Sequence, residues 1–197
     1  MRTLVFILLS FTTLFSQTFV YECQDSKSFI VQLKDNKAWL FSKELSSSLD
    51  RVPSASGEKY EKEGTVFWVE GYEAMLKTAS SSYKSCSNNR SKAVWEDAKL
   101  RGNDFRAIGN EPGWYLEIAN KGKKTLLVTN YGQERYELSL PRPYTSAKTS
   151  RYRIKGFLDI WIESGRCIDS MTGHHFSSRV SIKLEDKTYK GCGKALH

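Results

Sequence analysis

"SASGEKYEKEGTVFWVEGYEA", residues 54–74, sets two glycine turns around one short apolar strand. Ser54 to Gly57 reads as a flexible turn; a charged stretch follows, then the apolar run Val66-Phe67-Trp68, then a second turn at Gly71. Two tight loops on one strand pair usually present something to a partner. The flanking sequence continues the pattern. "TFVYEC" (18–23), "FIVQL" (29–33), "KAWLFS" (37–42), "TVFWVE" (65–70) and "EAMLKT" (73–78) are short strand-like runs separated by Asp, Asn, Ser, Gly or Pro, and Lys34–Asn36 is a hairpin-turn candidate. Short strands at such regular spacing predict a small antiparallel barrel or sandwich.

A chain of 197 residues holds one large or two small domains. Its 10 Tyr, 10 Phe and 5 Trp favour strands. From Thr18 to Arg90, Lys+Arg and Asp+Glu balance at 10 each; from Ser91 to His197 they stand at 19 and 12. Nearly all of the formal net charge of +8 therefore belongs to the second half. With "SNNRSK" (87–92) read as a linker, this break divides the chain into domains at 18–90 and 91–197. The second begins with a short helix, "SKAVWEDAKLRG" (91–102), capped by Ser91, ended by Gly102, and apolar at Val94, Ala98 and Trp95. Strand-like runs follow at "GWYLEIA", "KTLLVTNY", "ERYELSL", "SRYRIKG", "LDIWIES" and "RVSIKLEDKTYKGCG", with turns at Asn120–Lys124, Tyr131–Glu134 and Glu185–Lys187. The expected fold class is all-β: a small antiparallel barrel, a short connecting helix and a second β-rich domain.

Met1-Arg2 and the apolar stretch Thr3–Ser16 read as a signal peptide over residues 1–17, too short to span a membrane comfortably. Cys23 follows "VYE" rather than small residues, which argues against a lipid anchor. An exported chain, periplasmic or secreted, meets an oxidising compartment, so Cys23, Cys86, Cys167 and Cys192 read as two disulfides. Three connectivities are open, and pairing neighbours puts one bridge in each half. Free thiols or a metal site are the alternative.

"YEC" (21–23), "SASGEKY" (54–60), "VFWVEGYEA" (66–74) and "YKSC" (83–86) occur in order and at matching spacing. On these residues the first half resembles the periplasmic and membrane-bound inhibitors of c-type lysozyme of Gram-negative bacteria. The resemblance implies an antiparallel barrel closed by one disulfide, with two loops that insert into the lysozyme cleft. In that family a loop serine and a second-loop lysine meet the catalytic aspartate and glutamate, and a hydroxyl and an ammonium between two carboxylates block both. The serine falls on Ser56. The lysine falls, fourteen residues on, at Glu70, a reversal of charge that two catalytic carboxylates would repel. The lysozyme-contacting residues so implied are Ser56, Gly57, Tyr60, Glu70 and Gly71. Without the resemblance, Gly57 and Gly71 are turn glycines open to positive φ, Tyr60 reads equally well as a core aromatic, and Phe67 reads as core. No catalytic residue and no cofactor is implied.

"FRAIGNEPGWYLEI" (105–118) and the "CIDSMTG…GCGKAL" pattern (167–196) resemble an uncharacterised exported domain of the META type, which implies a β-rich domain with a tail strand closing its sheet. Cys167, Asp169, His174 and His175 are metal-ligand types, but the cysteines are better explained as a disulfide, and adjacent histidines on a strand or turn point apart. Glu111, Asp159 and Glu163 read as solvated or paired with arginine, and "NEPGW" (110–114) as a turn with Trp114 packed. Arg151, Arg153 and Lys155 alternate onto one exposed face with Tyr152 opposite. Aromatic interleaving for nucleic acid is absent there; an anionic envelope surface is the partner class that this basic half could attract. The leading reading is an exported, non-catalytic inhibitor that blocks c-type lysozyme with its loops. The rival is a periplasmic or envelope binding module with another partner, and Glu70 separates the two.

Overall fold

Alternation of apolar and polar residues builds the first unit of the structure, a computed structural model that describes residues 16–197 apart from Glu44. The expected signal peptide lies outside the described residues save for its last two positions, and Gln17 already belongs to a strand. Eight strands follow in order: β1 (Gln17–Glu22), β2 (Ser28–Lys34), β3 (Lys37–Phe41), β4 (Ser46–Val52), β5 (Glu58–Lys62), β6 (Thr65–Glu70), β7 (Glu73–Lys77) and β8 (Ser82–Asn88). Each pairs antiparallel with the next, and β8 returns to β1, closing a barrel. Phe29, Val31, Ala38, Leu40, Leu49, Phe67 and Leu76 point inward and are buried, with Tyr21, Tyr60 and Tyr83 completing an aromatic cluster. Each large apolar side chain buried this way contributes about 1.5–3 kcal/mol.

β4, β5 and β8 are strands that local sequence does not predict. "SSSLDRV", "EKYEK" and "SYKSCSN" are polar runs with poor strand propensity. They pair because each delivers one or two inward residues: Leu49, Tyr60, and Tyr83 with Cys86. Ring closure itself is short. Only Tyr21↔Asn88 and Glu22↔Ser87 pair across β1 and β8, and the Cys23–Cys86 disulfide stands directly beside them. On the loop-closure model this bridge contributes roughly 4 kcal/mol and the Cys167–Cys192 bridge roughly 3.5 kcal/mol.

Residues 87–92 are not a linker. Ser87 and Asn88 end β8, and only Asn89 separates them from the helix α1 (Arg90–Leu100). Asn89, rather than Ser91, supplies the cap: its Oδ1 accepts from the Lys92 N–H at 3.0 Å and from Ser91 Oγ at 2.8 Å. Ala93, Trp95 and Ala98 are buried, whereas Val94 is exposed. The chain divides into two compact units between Glu96 and Asp97, inside this helix.

The second unit is one nine-stranded antiparallel sheet: β9 (Asn103–Asn110), β10 (Gly113–Ala119), β11 (Lys124–Thr129), β12 (Glu134–Ser139), β13 (Tyr144–Thr145), β14 (Thr149–Ile154), β15 (Leu158–Ile168), β16 (His175–Leu184) and β17 (Lys187–Ala195). The spatial order is β12-β11-β10-β9-β17-β16-β15-β14-β13. The tail strand β17 therefore joins two four-stranded halves in the middle of the sheet. Its glycines make room for packing: a Cβ on Gly191 would lie 2.0 Å from Ile108 O and 2.8 Å from the Trp114 ring, and one on Gly109 would lie 2.1 Å from Trp114 Nε1. Trp114 thus packs where two strands lack side chains, beside Leu116, Ile160, Ile182 and Tyr189. On the opposite face of β10, Glu117 is 2% exposed. It accepts from both Arg101 Nη atoms (2.8 and 2.9 Å), from Asn103 Nδ2 (3.2 Å) and from Arg106 Nη1. Burial pushes the Arg106 guanidinium below its ordinary range, and the charge of Glu117 opposes that shift.

Candidate functional site

The 53–57 loop leaves β4 and enters β5; the Gly71-Tyr72 turn joins β6 to β7. Because β5 and β6 are paired, with Glu58 opposite Val69, the loop and the turn stand side by side. Gly57 fixes how close they come. It has φ +64°, and a Cβ there would fall 2.2 Å from Val69 O and 3.1 Å from Glu70 Cβ. Only glycine both reaches this φ without strain and leaves the space.

The loop is tied down at its middle. Trp68 Nε1 donates to Ser56 O at 3.0 Å, and Ser54 Oγ donates to the same carbonyl. The Ser56 side chain itself is exposed and makes no hydrogen bond among the described residues. The base of the loop is clamped by Glu58, which accepts from Arg51 Nη2 (3.1 Å) and from the Tyr60 hydroxyl (2.7 Å). Burial, followed by this hydrogen bond and the charge of Glu58, pushes the Tyr60 phenol up to about 12. Tyr60 is 3% exposed and stacks on Phe67 at 5.9 Å. It supports the loop from the core and offers no surface to a partner.

The second turn is a two-residue hairpin with Gly71 in its first central position at φ +60°, the arrangement that suits the twist of paired strands. Glu70 and Glu73 face each other across it. Both are exposed, and among the described residues neither is in an ion pair. Tyr72, between them, is 80% exposed. The tip is thus a doubly acidic turn carrying one aromatic ring. Lys59 forms an ion pair with Glu61 (3.0 Å), and Lys62 lies at the far end of β5 beside Thr65, so neither replaces a lysine at Glu70. Sequence reasoning missed Tyr72 and the bond from Trp68. A large aromatic directly after a turn glycine was the available signal for Tyr72; nothing local marks the Trp68 bond, which spans twelve residues.

The other predicted group resolves differently. Cys167 is bonded to Cys192. Asp169 is buried and accepts from Asn110 Nδ2 (2.6 Å) and from the Thr172 N–H (3.0 Å) and hydroxyl. Among the described residues no group of three or more His, Cys, Asp or Glu could hold a metal ion.

The geometry is that of a disulfide-closed β-barrel presenting two adjoining loops. Residues 21–84, which include both loops, match the family model described as membrane-bound lysozyme-inhibitor of c-type lysozyme. No curated protein and no solved structure matches the chain. Among the described residues no helix is long and apolar enough to cross a membrane.

Proposed function

We propose that this protein is exported and inhibits c-type lysozyme, using the 53–57 loop and the Gly71-Tyr72 turn as a joint plug for the active-site cleft. The observation that carries the reading is the close contact of Gly57 with Val69 O, which holds Ser56 and the second turn next to each other, within the stretch that matches the inhibitor family. Ser56 presents an outward hydroxyl on a loop already bonded at its carbonyl, so little conformational freedom is lost on docking. Lysozyme works with an acid and a nucleophilic carboxylate. The Ser56 hydroxyl donates to one of them, and Tyr72 packs its exposed ring against the cleft wall. Glu70 is the weak contact, since it brings a third carboxylate toward two others. Inhibition of cell-wall lysis by purified c-type lysozyme is the deciding measurement. Dose-dependent inhibition, reduced by Ser56→Ala, supports the proposal; none at micromolar inhibitor removes it.

The Glu70–Glu73 pair favours a second reading, a binding module whose partner presents cations to this tip. That reading gains if the chain fails to inhibit lysozyme and if Glu70→Lys abolishes capture of a basic protein ligand.

A further inference from the structure

The outward face of the second sheet carries a groove that lysozyme inhibition does not use. Arg151, Trp161, Ser181 and Lys190 stand opposite one another in register across β14, β15, β16 and β17. Asp159 holds Arg151, accepting from its Nε at 2.8 Å and from Nη2. Arg151 in turn lies over the Trp161 ring, its guanidinium carbon 5.1 Å from the centroid. One side of the indole is thereby fixed. On the other side Ser181 is too small to fill its row, and a hollow of about 750 Å³ opens, walled by Trp161 and Lys190 and extending toward Arg179 and the Cys167–Cys192 bridge. Trp161 is 43% exposed. Lys190 is exposed and makes no ion pair among the described residues.

We infer that this groove binds an anionic polysaccharide, one sugar ring stacked on Trp161 with its acidic group at Lys190. These features select that occupant. The face carries Arg151, Arg153, Arg179, Lys183 and Lys190 against Asp159 and Glu163, and Glu111 and the buried Asp169 also line the hollow; Asp159 and Glu163 are engaged by arginines, and Asp169 accepts hydrogen bonds from Asn110 and Thr172. With Arg179 paired to Glu163, Lys190 is the cation left at the hollow, in no ion pair among the described residues, to meet an acidic group. A held indole gives a flat apolar platform at small entropic cost, matched by the C–H face of a pyranose, while Ser181, Thr188 and Asn110 line the groove with groups that bond sugar hydroxyls. Finally, β15, β16 and β17 are each paired on both sides, so the floor has no free strand edge on which an acidic peptide could add. Two disulfides point to an oxidising compartment, where glycans rather than nucleic acids are the abundant polyanions.

The test is affinity electrophoresis and tryptophan-fluorescence titration of the full chain with polygalacturonate, heparin, neutral dextran, a DNA duplex and anionic vesicles. The expected result is binding to polygalacturonate, to heparin or to both, without binding to dextran, weakened at least tenfold by Trp161→Ala and by Lys190→Glu. Lys123→Glu, a charge change of equal size on the Asn120–Lys124 turn, which does not line the groove, leaves it unchanged. Indifference to Trp161→Ala, or an equal loss with Lys123→Glu, overturns the inference in favour of diffuse charge attraction. Equal binding to dextran, or binding only to DNA or vesicles, overturns it as well.

Discussion

The indole N–H of Trp68 donates to the backbone carbonyl of Ser56 at 3.0 Å, so the strand that leads into the second turn also holds the first loop in position. Trp68→Phe keeps a ring and removes the donor. A neutral hydrogen bond contributes about 1 kcal/mol, so lysozyme inhibition is expected to weaken about fivefold while the circular dichroism spectrum stays that of the parent. Unchanged inhibition would show that the Ser56 loop needs no tether.

The two turn glycines are not equivalent. A Cβ at Gly57 meets Val69 O at 2.2 Å, whereas one at Gly71 meets nothing within 4 Å. Gly71→Ala is expected to destabilise by about 1–2 kcal/mol from its positive φ alone. Gly57→Ala adds a backbone clash, so its urea midpoint falls further and inhibition is lost with it. Equal midpoints for the two variants would contradict the close approach of the loops.

Glu70→Lys replaces a repelled carboxylate by an ammonium facing a catalytic one. A charged hydrogen bond is worth about 1.5–3 kcal/mol, and 1.4 kcal/mol is about one decade in affinity. The inhibition constant is therefore expected to tighten at least tenfold, while Ser56→Ala weakens it by a smaller factor. A Glu70→Lys protein that is folded and inhibits no better would place the second turn outside the cleft.

Glu117 neutralises Arg106 in a buried site and chelates Arg101. Removing one partner of a buried pair costs about 3–5 kcal/mol, because the other charge is left uncompensated. Glu117→Gln should lower the unfolding free energy of the second unit by that amount, with the barrel unchanged, as read by near-ultraviolet signals from Trp114 against those from Trp68. A loss below about 1 kcal/mol would mean that water reaches the site.

Burial alone would raise the Asp169 carboxyl, but hydrogen bonds from Thr172 and Asn110 outweigh it and hold the group below the ordinary aspartate range. A depressed folded value means that this residue's contribution is complete above the unfolded value, about 3.9, and is lost as pH falls through the folded one. Protection of the amides in the 169–174 turn, taken relative to intrinsic exchange at each pH, is therefore expected to hold down to about pH 3.9 and to fall below it. Asp169→Asn should remove that pH-dependent loss of protection, and its persistence in the variant would assign it to another group.

Alternation in "FIVQL" and "KAWLF" determined inward and outward faces, because a strand's side-chain period is fixed by the backbone. The glycines at 57 and 71 marked the turns, because only glycine takes positive φ at little cost. These local signals sufficed for a β-rich barrel with a second β-rich unit. They could not supply β4, β5 or β8, whose polar residues pair only because neighbouring strands leave backbone groups to satisfy and a core for Leu49, Tyr60 and Tyr83 to fill. Nor could they place Asn89 as the helix cap, since three neighbouring polar residues compete for that position. The candidate site divides in the same way. Ser56, Gly57 and Glu70 were legible as residues. The burial of Tyr60, the tether from Trp68, the Glu70–Glu73 confrontation and the row from Arg151 to Lys190 depend on strand register, which brings together residues far apart in the chain and has no local code.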